Sequence, residues 1–313
     1  MRPFPARVEW VAKPPGPRRV LPSLGELSTF HFAQLGSVFV PMNKTKHTSP
    51  PMTRRLFCVA ALALAGCATS APVSNVPSAG SFAWFDLVTD DLDGSRDFYS
   101  GLFGWSFGQP DDTGYALVSS GDTVLGGVAD VGAAELKQTG AQWVPVLKVT
   151  DVDASMSLAT RSGGSVVLPP KDVSAGRFGT VRDNRDVLLT LYSGDAGFDL
   201  DQVGMPGKWL WIDLFTDNAR ASKDFYRSLV GFDTRVEDGL TVFVSGGQER
   251  GGLIEVPRRR FLPNWLPYVT VEDIDATVVK SLELGGGPLI VRGDAAIILD
   301  PQGGAIGIAL DDE

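Results

Sequence analysis

Apolar residues fill positions 82–88 except at Asp86, and a polar cluster, Thr89-Asp90-Asp91, follows at once. After the cluster, Leu92, Ser95, Phe98, Tyr99 and Leu102 recur at helical spacing, with Gly104 where a helix stop belongs. The pattern predicts a short strand over Phe82–Val88 and then a helix capped by the Asp/Thr cluster. Alternating runs at Tyr115–Ser119 and Leu125–Val128, split by Gly and Asp turns, predict further strands. The order then repeats. A strand over Val144–Val149 leads into a helix start at Asp151-Val152-Asp153, then Gly163-Gly164, then strands over Gly179–Arg182 and Val187–Tyr192.

The same text is written twice along the chain. Ser81–Trp105 aligns without gaps to Lys208–Phe232, so that Trp84, Asp86, Asp97, Phe98 and Tyr99 meet Trp211, Asp213, Asp224, Phe225 and Tyr226. Eleven of these 25 positions are identical, which is self-similarity rather than shared composition. Trp143-Val144-Pro145 similarly meets Trp265-Leu266-Pro267, and Asp151-Val152-Asp153-Ala154 meets Asp273-Ile274-Asp275-Ala276. The expected architecture is α+β, four βαβββ modules arranged as a tandem duplication.

The beginning of the chain follows no such pattern. Residues 1–51 are rich in Pro and Arg and show no periodicity; they read as a leader outside the native protein or without fold, with Met52 as the true start. Met52-Thr53-Arg54-Arg55 then precedes ten apolar residues, Leu56–Ala65, and Leu64-Ala65-Gly66-Cys67. A charged segment and an apolar run too short to span a bilayer describe a signal peptide, 52–66. Its end resembles a bacterial lipobox, which implies cleavage before Cys67 and acylation of that cysteine. Two or more acyl chains anchor stably where one is marginal. Ala68 after the cysteine resembles the outer-membrane sorting pattern. Residues 67–80, rich in Ser, Ala and Pro, read as a tether.

Composition narrows the chemistry. The 313 residues carry a net charge of −9, and 43% are hydrophobic. Residues 1–66 hold nine of the 28 basic and two of the 37 acidic residues, so the chain from Cys67 carries 19 basic and 35 acidic residues, a net −16. Such an acidic surface argues against a nucleic-acid partner. Both histidines, His31 and His47, precede the cut, as does Cys58. A mature protein without histidine has neither the usual nucleophilic triad nor imidazole for a metal.

The ordered set Trp84-Phe85-Asp86-Leu87, Asp97-Phe98-Tyr99 and Val149-Thr150-Asp151-Val152-Asp153, whose pattern recurs in the second half, together with the closing Asp300-Pro301-Gln302-Gly303, resembles the vicinal oxygen chelate superfamily. That superfamily includes glyoxalase I, extradiol dioxygenases and bleomycin-binding resistance proteins. The resemblance covers residues 81–310 and implies two tandem glyoxalase-like domains, 81–195 and 208–313, joined by a linker at 196–207. It implies that paired modules curl into a cup, with histidines on first strands and a glutamate on the last strand holding a divalent metal. Those positions fall at Trp84, Trp211, Val144, Leu266, Thr190 and Gly307 in this sequence. None offers imidazole or carboxylate, so no metal and no cofactor of the family's usual kind is expected.

Residues two apart on a strand share a face. Each cup is therefore expected to present a tryptophan beside a carboxylate, Trp84 with Asp86 and Trp211 with Asp213, with the Thr190 hydroxyl nearby. Such a pair suits an aromatic or cationic small molecule, or else the tryptophans simply fill the core. A carboxylate-only Mg²⁺ or Ca²⁺ site from Asp86, Asp90, Asp91, Asp213 and Asp217 is an alternative, against which most of these stand at helix starts. Tyr99 and Tyr226 read as core rather than as general acids. Arg258-Arg259-Arg260 reads as a solvated loop and Gly285-Gly286-Gly287-Pro288 as a turn. Three functions remain: a lipid-anchored, periplasm-facing binding protein, favoured here and monomeric as a fused pseudo-dimer; a lyase, isomerase or dioxygenase with an atypical carboxylate site; and a ligand-free interaction module of the envelope.

Overall fold

The structure, a computed structural model, describes residues 79–130, 140–195, 205–237, 239–258 and 261–310. The leader, the signal peptide, Cys67, nearly all of the tether and most of the linker lie outside these residues.

Each half is built around one sheet of eight strands among the described residues. In the first half β1 (Phe82–Thr89), α1 (Leu92–Phe103), β2 (Ser106–Phe107), β3 (Tyr115–Ser120) and β4 (Thr123–Asp130) form one module. Then β5 (Gln142–Lys148), α2 (Val152–Arg161), β6 (Ser165–Val173), β7 (Gly176–Arg182) and β8 (Leu188–Ser193) form the next. The second half repeats the order. Its elements are β9 (Trp209–Thr216), α3 (Ala219–Val230), β10 (Asp233–Glu237), β11 (Leu240–Ser245) and β12 (Gln248–Glu255), then β13 (Asn264–Thr270), α4 (Ile274–Glu283), β14 (Gly287–Arg292), β15 (Ala295–Leu299) and β16 (Ala305–Ala309). The sheet orders are β2-β3-β4-β1-β5-β8-β7-β6 and β10-β11-β12-β9-β13-β16-β15-β14. First strands of paired modules lie antiparallel at the centre, β1 on β5 and β9 on β13. Each also pairs in parallel with the last strand of its own module. The expected α+β class with four βαβββ modules is what the chain forms.

Helix ends follow the local chemistry. Asp91, Asn218, Asp151 and Asp273 each accept a hydrogen bond from a first-turn amide, which satisfies a donor the helix cannot. Gly104 and Gly231 close α1 and α3 at φ 74° and 71°, left-handed conformations that cost glycine nothing. The sequence pattern missed β6. It contains Pro169-Pro170 and carries bulges at Val166/Leu168 and Leu168/Lys171, which an edge strand tolerates because its outer side needs no donors.

One hydrophobic core serves both halves. Phe82, Phe85, Leu87, Trp143 and Leu147 from one face of the first sheet join Ile212, Leu214, Trp265 and Val269 from the second. The helices belong to this same core, and α2 packs on α3 as α1 does on α4. Rings interlock across the join: Phe82 and Trp265 are 5.0 Å apart between centroids, Phe85 and Trp209 4.8 Å. The Trp105 indole donates to Gly207 O and the Trp209 indole to Leu125 O. The two sheets are thus back to back, with their other faces, the cups, directed away from the shared core.

Candidate functional site

The cup face of the first half is read from its strands. Trp84 packs with Ala83, Val146 and Tyr192, while Val88 packs with Val144 and Leu188. Asp86 lies between Trp84 and Val88 on the same face of β1. It retains partial exposure. Its carboxylate accepts hydrogen bonds from the Tyr115 hydroxyl at 3.0 Å and the Gly127 amide at 2.9 Å, and the Trp84 side chain approaches as a further donor. Burial raises the carboxyl from 3.8 to about 6, against the pull of those donors. Burial beside Asp86 also pushes the Tyr115 phenol well above its ordinary value. Trp84 faces an aromatic wall, 4.9 Å from Tyr192 and 5.9 Å from Phe178. Thr190 shares a 3.1 Å hydrogen bond with Thr180.

The second cup repeats the carboxylate with different supports. Trp211 donates to Asp213 at 2.9 Å, and the Gly252 amide donates as well. The Tyr268 hydroxyl faces the same carboxyl, outside the geometry of a regular hydrogen bond. Burial raises Asp213 to about 6. The two tyrosines come from non-equivalent strands, Tyr115 from β3 and Tyr268 from β13. At their counterparts in the opposite cup stand Leu240 and Val146, which is why the sequence repeat gave no sign of either.

The metal positions implied by the resemblance can be tested on this register. Asp86 pairs with Gly127 and Val146 with Thr190, so Gly127 and Thr190 are the two closing-strand places of the first cup. With Trp84 and Val144 they supply one hydroxyl and no carboxylate. A Cβ placed on Gly127 would lie 2.1 Å from the Tyr115 phenol carbon, and one on Gly307 would lie 2.3 Å from the Tyr268 ring. Tyrosine rings fill the space that a ligating side chain would need. These residues do not fit a divalent metal held in the superfamily's manner.

The alternative carboxylate site is corrected by the geometry. Asp86 and Asp213 sit in opposite cups. Asp90 accepts from the Gly140 amide, Asp91 caps α1, and Asp217 pairs with Arg185 at 2.6 Å and Arg258 at 3.5 Å. A loop amide, a helix cap and ion pairing have already engaged them in turn, and no three His, Cys, Asp or Glu converge among the described residues. Arg258 is thus paired, and Arg259 and Arg260 lie outside the described residues. Gly285 turns at φ 87° after α4, and Gly287 already begins β14.

Tyr99 and Tyr226 are buried in the shared core, and each joins the halves. Tyr99 receives a hydrogen bond from Trp143 Nε1 at 2.9 Å and donates to Asp300 Oδ2 at 2.9 Å. Tyr226 receives one from Trp265 Nε1 at 2.7 Å and donates to Asp183 Oδ2 at 3.1 Å. Asp183 and Asp300 also tie down their own turns through the amides of Arg185 and Val187, and of Gln302 and Gly304. Burial raises both carboxyls to about 6. Asp300 was legible in sequence only as part of a family motif; that it reaches the opposite half was not.

Comparison with known proteins places these features in company. The family model for the bleomycin resistance protein-like N-terminal region matches residues 81–121. The anthracycline biosynthesis protein DnrV of Streptomyces peucetius is 31% identical over 260 residues, covering 73% of this chain and 92% of that protein. CFP32 of Mycobacterium tuberculosis, a glyoxylase by name, is 27% identical over 240 residues, covering 72% and 92%. Among solved structures, the Mn(II)-bound glyoxalase from Novosphingobium aromaticivorans superposes with a TM-score of 0.54 at 16% identity, covering 75% of this chain and 83% of its own. The 2,2',3-trihydroxybiphenyl 1,2-dioxygenase from Sphingomonas wittichii superposes with a TM-score of 0.51 at 14% identity, covering 75% and 91%.

Proposed function

Because this chain belongs to the two-domain, glyoxalase-like branch of the vicinal oxygen chelate superfamily, we propose that it has kept the superfamily's cup and turned it to metal-independent binding of a small aromatic or cationic molecule. One observation carries the reading. Where the superfamily sets metal ligands, the first cup has Trp84, Val144, Gly127 and Thr190, with a half-buried aspartate, Asp86, beside the tryptophan. An aromatic wall next to an anionic group holds a flat or cationic guest by stacking and charge. The net −16 of the mature chain adds a long-range attraction for cations. Two relatives are named for anthracycline biosynthesis and as a glyoxylase; the first name is in keeping with a polycyclic aromatic guest.

The binding protein would stand in the cell envelope, held by lipid on Cys67 and facing the periplasm, outer membrane preferred, as a monomer in which two fused halves replace a dimer. A catalytic version of the same site would use Asp86, raised toward neutrality and hydrogen-bonded to Tyr115, as a metal-free base.

Native mass spectrometry with elemental analysis of the protein, prepared without chelator, tests the reading. A metal-free chain carrying a small organic adduct, lost in Asp86→Asn, is the expected result. A stoichiometric divalent metal overturns it. Turnover that disappears in Asp86→Asn while the adduct is retained would favour the catalytic version.

A further inference from the structure

The two cups are unequal in what they leave open. The second is floored by one continuous apolar cluster in which Leu266, Tyr268 and Ile297 meet Leu210 and Phe215, with Trp211 half-buried at its edge. Tyr268 is 1% exposed with its ring over Gly307, and Asp213 is 4% exposed. In the first cup the apolar residues fall into two separate groups, one around Trp84 and Tyr192 and one around Val88 and Leu188. A polar strip of Asp86, Thr180 and Thr190 runs between them. Thr180 and Thr190 correspond by register to Ile297 and Gly307 in the second cup.

Beyond the aromatic group stands Lys148, the last residue of β5. It shares a face with Val144 and Val146 and pairs in register with Tyr192. Lys148 is 8% exposed, and its Nζ makes no hydrogen bond among the described residues. Asp195, just past β8, lends a favourable charge, yet burial still lowers the amine below its ordinary value. A buried ammonium that gives none of its three hydrogen bonds is costly to keep. Its counterpart in the second cup is Thr270, which carries no charge.

We propose that the first cup alone is the ligand site, and that it takes an elongated aromatic acid whose anionic group is held by Lys148 and whose other end presents a donor or cationic group to Asp86. The proposal rests on the binding function argued above and adds which cup and which ligand class. Length follows from the strand: Asp86 lies opposite Val144, four residues before Lys148, or about 13 Å along an extended chain. A single ring is too short to meet both charges. The ring system would lie along the group of Trp84 and Phe178, which stands between Asp86 and Lys148.

Isothermal titration of the full chain with three probes tests it: 6-amino-2-naphthoate, 2-naphthoate and 2-aminonaphthalene. The expected result is one equivalent of 6-amino-2-naphthoate per chain. Lys148→Met should weaken both naphthoates by about tenfold or more, leave 2-aminonaphthalene unchanged, and raise the melting temperature because the cost of burying the ammonium is gone. Trp211→Phe should change no affinity. Two equivalents, a Trp211→Phe effect, or unchanged naphthoate binding in Lys148→Met overturns the assignment while leaving binding by the fold intact. Loss of all three probes in Lys148→Met with a lower melting temperature identifies a structural lysine and also overturns it. If no probe binds the unaltered chain, the binding function falls and the assignment with it.

Discussion

Removing one hydroxyl, in Tyr99→Phe, should destabilise both halves of the protein together. The phenol is buried, accepts from Trp143 Nε1 and donates to Asp300 Oδ2, both at 2.9 Å. Phenylalanine fills the same volume but leaves an indole N–H and a carboxylate oxygen without that partner. Each orphaned buried group costs roughly 1–3 kcal/mol. Asp300 keeps two backbone donors on its other oxygen, which places the sum toward the lower end, about 3 kcal/mol. For a chain of this size each kcal/mol moves the midpoint by about 2–4 °C, so a fall of roughly 6–12 °C is expected. Tyr226→Phe removes the corresponding link to Asp183 and should cost a similar amount. Thermal and urea melts followed by tryptophan fluorescence and by circular dichroism measure both. Because one core contains residues of both halves, the two probes should report a single coincident transition. A loss below about 0.5 kcal/mol, or two separated transitions, would refute the idea that these relays lock the halves into one unit.

Stability should also fall as pH rises from about 4 to 6. Asp183, Asp213 and Asp300 are each raised from 3.8 to about 6 by burial. Between those values the folded chain holds protons that the unfolded chain has released, so the stabilisation present below 3.8 is lost as pH climbs through the folded values. Asp300→Asn can still accept from both amides and should flatten this dependence in urea midpoints taken at several pH values; parallel curves would contradict the assignment. Gly126→Ala and Gly104→Ala form a second contrast. A Cβ on Gly126 would lie 1.9 Å from the carbonyl oxygen of Phe85, whereas one on Gly104 meets nothing within 4 Å. The first should prevent folding or cost more than about 3 kcal/mol, the second about 1 kcal/mol for its left-handed backbone, and equal costs would show that β1 and β4 can separate. Cys67→Ser should release the protein from the membrane fraction and abolish labelling by a fatty-acid analogue, whereas continued labelling would place the anchor elsewhere.

What the sequence made legible was whatever the duplication wrote twice. The gapless alignment at Ser81–Trp105 fixed β1, α1 and their partners β9 and α3, because helix caps and apolar stripes are local and repeat with the text. It also placed Trp84 with Asp86, and Trp211 with Asp213, on one face. Features that depend on divergence or on long-range packing stayed hidden. Tyr115 and Tyr268 approach equivalent aspartates from non-equivalent strands, so comparing the halves erased both. Asp300 and Tyr99, 201 positions apart, meet only because the two sheets lie back to back. Nothing in the local pattern around Lys148 marks it as buried, because its burial comes from the strands packed beside it.

The same contrast bears on how the protein came to differ from a symmetric duplicate. The shared core keeps its symmetry closely: Trp143–Tyr99–Asp300 and Trp265–Tyr226–Asp183 are one arrangement made twice, each completed by the opposite half. Neither half has a satisfied core alone, so a change in this layer must be matched by its partner. The cups face away from one another and carry no such obligation. In the second, Tyr268, Ile297 and Leu266 close the floor into continuous apolar packing, which adds stability without needing a guest. That packing allows the first cup to keep what weakens a fold, a half-buried aspartate and a buried amine without a hydrogen bond among the described residues. Continuous apolar packing in one cup and a half-buried polar strip beside a buried amine in the other is the division expected when the two copies of a duplicated site diverge.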